Sequence, residues 1–297
     1  MKILCVHAHF DDFEFVAAGT FARWRSKLGT ALEAKLIVCT DGRAGHHALT
    51  RAQTARTRFA EQEASARLGQ VQFELLRKPN GQPFMEACRT LDNDLLASLW
   101  KAIRDFEPDY LFCPPLPSDT LAGVHPDHIT VADAVRRVAY MINVPHAFLD
   151  EYPVSDETQS QWIKTPVILN TYDSYMAGAN VGDLFVDVEP EFDLISEMSW
   201  CHQSQIREWL PWIGRHDLPP VKSLAEWREV LRQRFKRQQR ELGLPPDRAV
   251  EVFTVTAWGM VPTLEQLERD IPSLITTPDS RQRLGHRLLR WSGHAFS

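Results

Sequence analysis

Lys2-Ile3-Leu4-Cys5-Val6-His7-Ala8-His9-Phe10-Asp11-Asp12, near the start of a chain of 297 residues, decides how its first half folds. Ile3 to Val6 is an uninterrupted apolar run followed at once by polar groups, which reads as a buried strand over residues 2–8. Outward from it, residues 14–28 carry helical apolar spacing at Phe15, Ala18, Phe21 and Ala22 before Gly29. Residues 35–39 read as a second strand, 51–68 as a helix closed by Gly69, and 71–76 as a strand. An amphipathic helix over 91–106 and a strand over 110–113 follow. Strands alternating with helices of this length require crossover connections, hence a mostly parallel sheet covered on both faces. The expected fold class is α/β, a Rossmann-like doubly wound sheet.

Beyond residue 150, short strand-like pieces at 167–170 and 184–188 alternate with helical stretches at 194–209 and 225–242. No flexible linker and no internal repeat separates the halves. We expect one domain over 1–297, with 1–150 as the α/β core and 151–297 as a C-terminal α+β cap or extension packed on it. A hydrophobic content of 44% is enough for a full core. The net charge of −6 offers no basic excess to meet a phosphate backbone, so no nucleic-acid partner is expected. Cys5, Cys39 and Cys113 lie in strand-like runs and Cys88 and Cys201 in helix-like ones, without CxxC spacing. Buried free thiols in a reducing cytoplasm are the expectation. The short apolar run before His7 does not read as a secretory signal, and no apolar segment approaches the roughly 20 residues that span a bilayer. Neither GxGxxG after the first strand nor GxxxxGK[ST] occurs, so dinucleotides and nucleoside triphosphates are not indicated.

Two strings, His9-Phe10-Asp11-Asp12 and His125-Pro126-Asp127-His128, each bring imidazole and carboxylate together within four residues. That is the ligand chemistry of a borderline-soft divalent metal. Both follow strands, and parallel sheets bind ligands beyond the carboxyl ends of their strands, so the topology permits the strings to meet. Pro126 suits a first helical position, which puts His125 near the N-cap and His128 one turn on, where the two share a face. Asp11 and Asp12 are adjacent and project differently, so one can bind metal while the other stays free as a base.

With Ala8 before it and Phe13-Glu14 after it, the first string resembles the AHPDDxE signature of the PIG-L/LmbE-like family of zinc-dependent de-N-acetylases. The second is similar to that family's HPDH. Weaker matches follow in order at Thr40-Asp41-Gly42, Arg58-x-x-Glu61 with Leu68-Gly69, His202-x-Ser204-Gln205 and Glu251-x-Phe253. The resemblance implies His9, Asp12 and His128 as ligands of zinc or another divalent transition metal, Asp11 as general base and a cationic His125 as general acid or electrophile. Arg58 matches a family position that touches substrate, with an exposed helix arginine as the alternative, and Asn80 falls in a region resembling a substrate loop. Arg43, in the Gly42 to Gly45 loop, is placed to meet a polar substrate. The implied activity is removal of an N-acetyl or other N-acyl group from a small amino-sugar-containing metabolite, glycoconjugate or natural-product intermediate. The alternatives are a metal-dependent hydrolase of another bond, such as an ester, and a binding protein that retains the fold. A homo-oligomer is compatible with either. The chain departs from the pattern at Phe10, where proline is usual, and at Gly123, where some members place an oxyanion-stabilising tyrosine.

Two readings stand for Asp127: it orients a histidine, or it favours the N-terminus of its helix. Glu14 likewise supports the site from behind or is a first-turn acid. His46 and His47 read as solvated loop residues, His202 as a hydrogen-bonded helix histidine, and Trp200, Trp209, Trp212 and Trp227 as packing groups. The basic amphipathic segment 280–291 reads as docking on its own domain or a second subunit, with a membrane-surface helix as the alternative.

Overall fold

The strand expected at the start of the chain is β1 (Lys2–His7) in a computed structural model that describes residues 1–87, 90–153, 161–176, 178–214, 218–275 and 277–293. It pairs in parallel with β2 (Glu33–Val38) on one side and β4 (Tyr110–Cys113) on the other, Cys5 lying opposite Leu36 and Phe112. Beyond these come β3 (Gln72–Leu75) beside β2 and β5 (Val167–Thr171) beside β4, all parallel. β6 (Leu184–Asp187), β7 (Val250–Val255) and β8 (Leu274–Ile275) add antiparallel strands, giving one eight-stranded sheet in the order β3-β2-β1-β4-β5-β7-β6-β8. The second half of the chain thus extends the sheet of the first. Strand order reverses between β1 and β4, which opens a crevice at their carboxyl ends.

The helices are α1 (Asp12–Val16), α2 (Ala18–Leu28), α3 (Arg51–Leu68), α4 (Asn93–Phe106), α5 (Pro126–Met141), α6 (Phe192–Trp200), α7 (Leu210–Ile213), α8 (Leu224–Glu241), α9 (Leu264–Asp270) and α10 (Pro278–Ser292). Ile3 and Cys5 pack with Phe13, Phe21, Trp24 and Phe253, whereas Leu4 and Val6 pack with Leu95, Leu99, Val131 and Val135. Successive residues of β1 therefore face opposite cores, which is why its sequence shows no alternation.

The helix expected over 14–28 is divided at Ala17, whose φ is −148°. The break frees the N–H groups of Gly19 and Thr20, and both donate to Glu251 of β7, at 2.8 and 2.7 Å. The stretch expected as one helix over 194–209 is α6, a turn, and a π-helical run at Ser204–Trp209 that leads into α7. The basic segment near the C-terminus docks on its own chain: Leu284 and Leu288 of α10 enter the core, and Arg287 pairs with Asp183. Among the described residues no helix is long and apolar enough to cross a membrane. Cys5, Cys39 and Cys113 are buried free thiols, Cys201 is partly exposed after α6, and Cys88 lies outside the described residues.

Candidate metal centre

Strand geometry places the first group of side chains. His7 ends β1, and His9 follows two residues later over the crevice. The chain then turns sharply at Asp11, which has a φ of 85° and caps α1. This left-handed residue, a conformation that aspartate tolerates better than most, sends the two carboxylates apart. Asp12 Oδ2 accepts from the His9 N–H at 2.8 Å and meets His7 Nδ1 at 2.6 Å. Asp11 instead donates its N–H to Gln62 Oε1 at 3.1 Å and pairs through Oδ1 with Arg58 Nη2 at 3.2 Å. The second string opens α5 as expected, with Pro126 in its first turn and His125 Nδ1 accepting from the Asp127 N–H at 3.3 Å.

The strings meet. His9 Nδ1 lies 3.2 Å from His128 Nε2, and Asp12 Oδ2 lies 3.4 Å from each of these nitrogens. Ligands about 2.0–2.1 Å from a tetrahedral ion are separated by roughly 3.3 Å, so two imidazoles and a carboxylate at this spacing fit one face of a zinc-like site. The outer ring nitrogens are committed: His9 Nε2 to Asp127 Oδ2 at 3.1 Å, and His128 Nδ1 to Asp173 Oδ2 at 2.9 Å. Carboxylates placed behind both histidines hold the protons outward and leave the inner nitrogens unprotonated for a metal. Two overlapping groups also come within 4.8 Å, His9 with His125 and His128, and His7 with Asp12 and His128. His7, however, spends Nδ1 on Asp12, and its Nε2 faces Thr171 Oγ1 at 3.5 Å. His125 spends Nδ1 on its own helix.

Burial and charge compete at each titrating group. Burial would lower His9 and His128, but Asp12 above all reverses this, raising them to about 10 and about 9 in the metal-free chain. Burial would raise Asp12, yet the charges of His7, His128 and His9 hold it well below the carboxylate range. Asp11 is pushed up to about 6 by burial, with Arg58 opposing. His125 is pushed down to about 4 by burial and by the charges of His9 and His128. In the metal-free chain the ring is therefore neutral near pH 7, and with Nδ1 accepting a hydrogen bond its proton sits on Nε2.

The remaining expected residues divide. Arg58 is not an exposed helix arginine: it is 2% exposed and also bonds Glu86 Oε1 at 3.1 Å and the Phe10 carbonyl. Glu14 is fully buried behind α1, where it accepts from Gln62 Nε2 at 2.8 Å and from Ser65, with His202 Nε2 at 3.4 Å. Asp127 serves His9 and also accepts from the Ala87 N–H at 2.7 Å. Arg43 turns back onto Asp41, with Nε 2.5 Å from Oδ2. Asn80 sits in an exposed turn, accepting from the Gln82 N–H at 3.0 Å, and is not brought among the site residues. His47 is an exposed loop residue as expected, whereas the His46 side chain is buried and its Nε2 meets Glu208 Oε2 at 3.0 Å. The two rings stack on each other, and His47 stacks on Trp212, which stacks on Trp209, with centroids 5.0, 4.8 and 5.3 Å apart.

Sequence reasoning missed His7, Asp173, Tyr175 and Arg234. His7 was findable, because residues two apart on a strand share a face and His9 was already in view. Tyr175 explains the departure at Gly123: a Cβ there would stand 2.7 Å from the Tyr175 carbonyl oxygen. The Tyr175 ring lies 5.3 Å from that of His125 and 5.4 Å from that of His128. A cavity of about 450 Å³ opens beside the centre, lined by His7, Asp11, Asp12, His128 and Asp173 and also by Phe15 and Val16 of α1 and by Trp227, Val230, Leu231 and Arg234 of α8.

Residues 4–139 match the model of the family described as PIG-L: GlcNAc-PI de-N-acetylase. The fold is similar to that of N,N'-diacetylchitobiose deacetylase from Pyrococcus horikoshii, with a TM-score of 0.64 and 21% identity over 86% of this chain and 84% of that one. It is also similar to the conserved protein TT1542 from Thermus thermophilus, at 0.60 and 17%, covering 87% and 95% of the two chains. A third likeness is to GalB, the 4-carboxy-2-hydroxymuconate hydratase from Pseudomonas putida, at 0.58 and 17%, covering 85% and 95%. No curated protein matches. The two signature strings, their convergence at the crevice and the match over 4–139 agree: in that segment, just under half of the chain, it is similar to the PIG-L family.

Proposed function

We propose that this protein is a zinc-dependent amidohydrolase that removes an N-acetyl or related N-acyl group from a small amino-sugar-containing substrate. The observation that carries the reading is the triangle of His9 Nδ1, Asp12 Oδ2 and His128 Nε2 with a separate carboxylate, Asp11, at the same cavity. A metal held by those three residues supplies Lewis acidity, which activates water near neutral pH and polarises the amide carbonyl.

The chain's own groups account for the proton movements. Asp11, raised by burial to about 6, is ionised at neutral pH yet basic enough to take a proton from water as its oxygen bonds to the acyl carbon. Arg58 grips Asp11 Oδ1 and the Phe10 carbonyl, fixing the base against the ligand turn. Neutral His125 donates Nε2–H towards the oxygen on which negative charge develops. The C–N bond then breaks, and the proton held by Asp11 passes to the departing nitrogen, leaving a carboxylate and a primary amine.

The family match supports this reaction class, and the deacetylase from Pyrococcus horikoshii supports an acetylated amino sugar as substrate. The hydratase from Pseudomonas putida has the same fold, so the product must decide. Protein loaded with zinc is screened against N-acetylated amino sugars, glycoconjugates and natural-product intermediates for released acetate. Chelation should abolish release and zinc should restore it. Less than about a tenth of an equivalent of bound transition metal, with no activity restored by zinc, would overturn the reading.

A further inference from the structure

α8 carries several arginines, and they do not share one fate. Arg228 pairs with Asp193 at 3.2 Å and Glu197 at 3.3 Å, and Arg232 pairs with Glu189 at 2.6 Å. Arg234 faces the cavity, where its guanidinium carbon lies 4.6 Å from the centre of the Phe15 ring. It has no hydrogen-bond or ion-pair partner among the described residues. The acids within its electrostatic reach are committed elsewhere: Asp173 to His128 and the Tyr175 N–H, Asp12 to the histidines of the metal centre. Glu241, on the same cavity wall, receives the Tyr172 hydroxyl and the Gly178 N–H. Burial accordingly lowers the Arg234 pKa, as expected for a guanidinium taken from water without a counter-ion.

A planar, fully ionised fork held over an aromatic face is suited to bidentate binding of an oxyanion. Phe15, Trp227, Val230 and Leu231 in the same lining are apolar, and Arg237, one turn further along α8, adds a second cation to the cavity. We propose that Arg234 forms a subsite for an oxyanion, a carboxylate or a phosphoryl group, carried by the N-acylated substrate at a distance from the amide that is cut. This rests on the amidohydrolase reading and narrows its substrates to acidic N-acyl compounds. The amide lies at Asp11 and the triangle, and the anionic group lies at Arg234 of α8 in the same cavity.

Three probes separate the possibilities: N-acetylglucosamine, its 6-phosphate and N-acetylmuramic acid, which are neutral, phosphorylated and carboxylated. Binding to the zinc-loaded protein is measured by calorimetry, and released acetate is measured in parallel. Wild-type protein should bind at least one acidic probe at least about tenfold more tightly than the neutral one, as expected of a charge-assisted hydrogen-bonded pair. Arg234→Gln should abolish that preference while leaving binding of the neutral sugar within about twofold, and Arg234→Lys should restore part of it. Which acidic probe gains identifies the oxyanion. Equal binding of all three, no binding of either acidic probe, or an equal loss for all three in Arg234→Gln overturns the subsite. An Arg234-dependent preference in binding with no acetate released from any probe keeps the subsite and counts against the amidohydrolase reading. Acetate released from all three with equal efficiency does the reverse.

Discussion

Replacing Asp173 by asparagine tests the proposed metal centre without touching any of the three residues proposed to hold the ion. Asp173 uses both oxygens: Oδ2 meets His128 Nδ1 at 2.9 Å, and Oδ1 accepts from the Tyr175 N–H at 2.8 Å. Asparagine has one carbonyl oxygen. If that oxygen faces His128, the ring keeps its proton on Nδ1 but loses a charge-assisted bond, and the Tyr175 N–H faces an amide donor. If the oxygen faces Tyr175, the amide N–H₂ faces Nδ1, and the His128 proton is driven to Nε2, the atom that must be bare to hold metal. Either arrangement costs about 1–3 kcal/mol, the penalty for one unsatisfied or weakened buried bond. That corresponds to a zinc affinity lower by roughly 10- to 100-fold, the usual effect of losing a carboxylate behind a ligating histidine. Asp127→Asn should act alike through His9 Nε2. The assay is competition for zinc against a chromogenic chelator at fixed pH, with circular dichroism to verify the fold. Asp41→Asn, which removes a carboxylate bonded to Arg43 and not to a ligand, is the control. Zinc affinity within twofold of wild type in a folded Asp173→Asn protein would refute the assignment of His128 Nε2 as a ligand oriented from behind.

The ligand set itself is separated by His128→Ala, which should lose stoichiometric zinc by metal analysis, and His7→Gln, which should retain it. Full loss of zinc in His7→Gln would favour the triangle of His7, Asp12 and His128 instead. Asp11→Asn should keep its zinc and lose turnover by at least about a hundredfold, as for a missing general base, and unchanged turnover would remove Asp11 from that role. Glu251 supplies a pH test of stability: burial lifts its pKa to about 7, so the folded protein binds a proton more tightly than the unfolded chain does. Its contribution therefore falls as pH rises from about 4.5 to about 7, by about 3 kcal/mol, and is flat above. Denaturant unfolding of wild type and Glu251→Gln should differ in slope over that window, and parallel profiles would show that Glu251 does not titrate there.

What the sequence conveyed, and what it withheld, follows from how each side chain meets the rest of the molecule. β1 was readable because both of its faces meet apolar cores, and the two signature strings were readable because imidazoles and carboxylates crowd so closely in them. The break at Ala17 was not, because the acceptor for the freed Gly19 and Thr20 N–H groups is Glu251, far along the chain. That same buried acid disguised β7, since a carboxylate in Val250–Val255 argues against a fully buried strand. Asp173 had no motif around it. It lies just past β5, and only the pairing of β5 with β4 brings that carboxyl end to the crevice. Arg58 shows the deeper reason. Thr54, Arg58, Gln62 and Ser65 form, with Ala66, the buried face of α3, spaced as a helix requires yet polar at four of its five positions. A search for apolar periodicity sends such a face to solvent. It is buried here because what it meets is Asp11, Glu14 and Glu86, whose charges and hydrogen bonds need donors. A helix that serves a polar site keeps its period and inverts its polarity, so a stripe of donors at helical spacing, in a chain whose acids cluster at strand ends, is itself a signal of where the site lies.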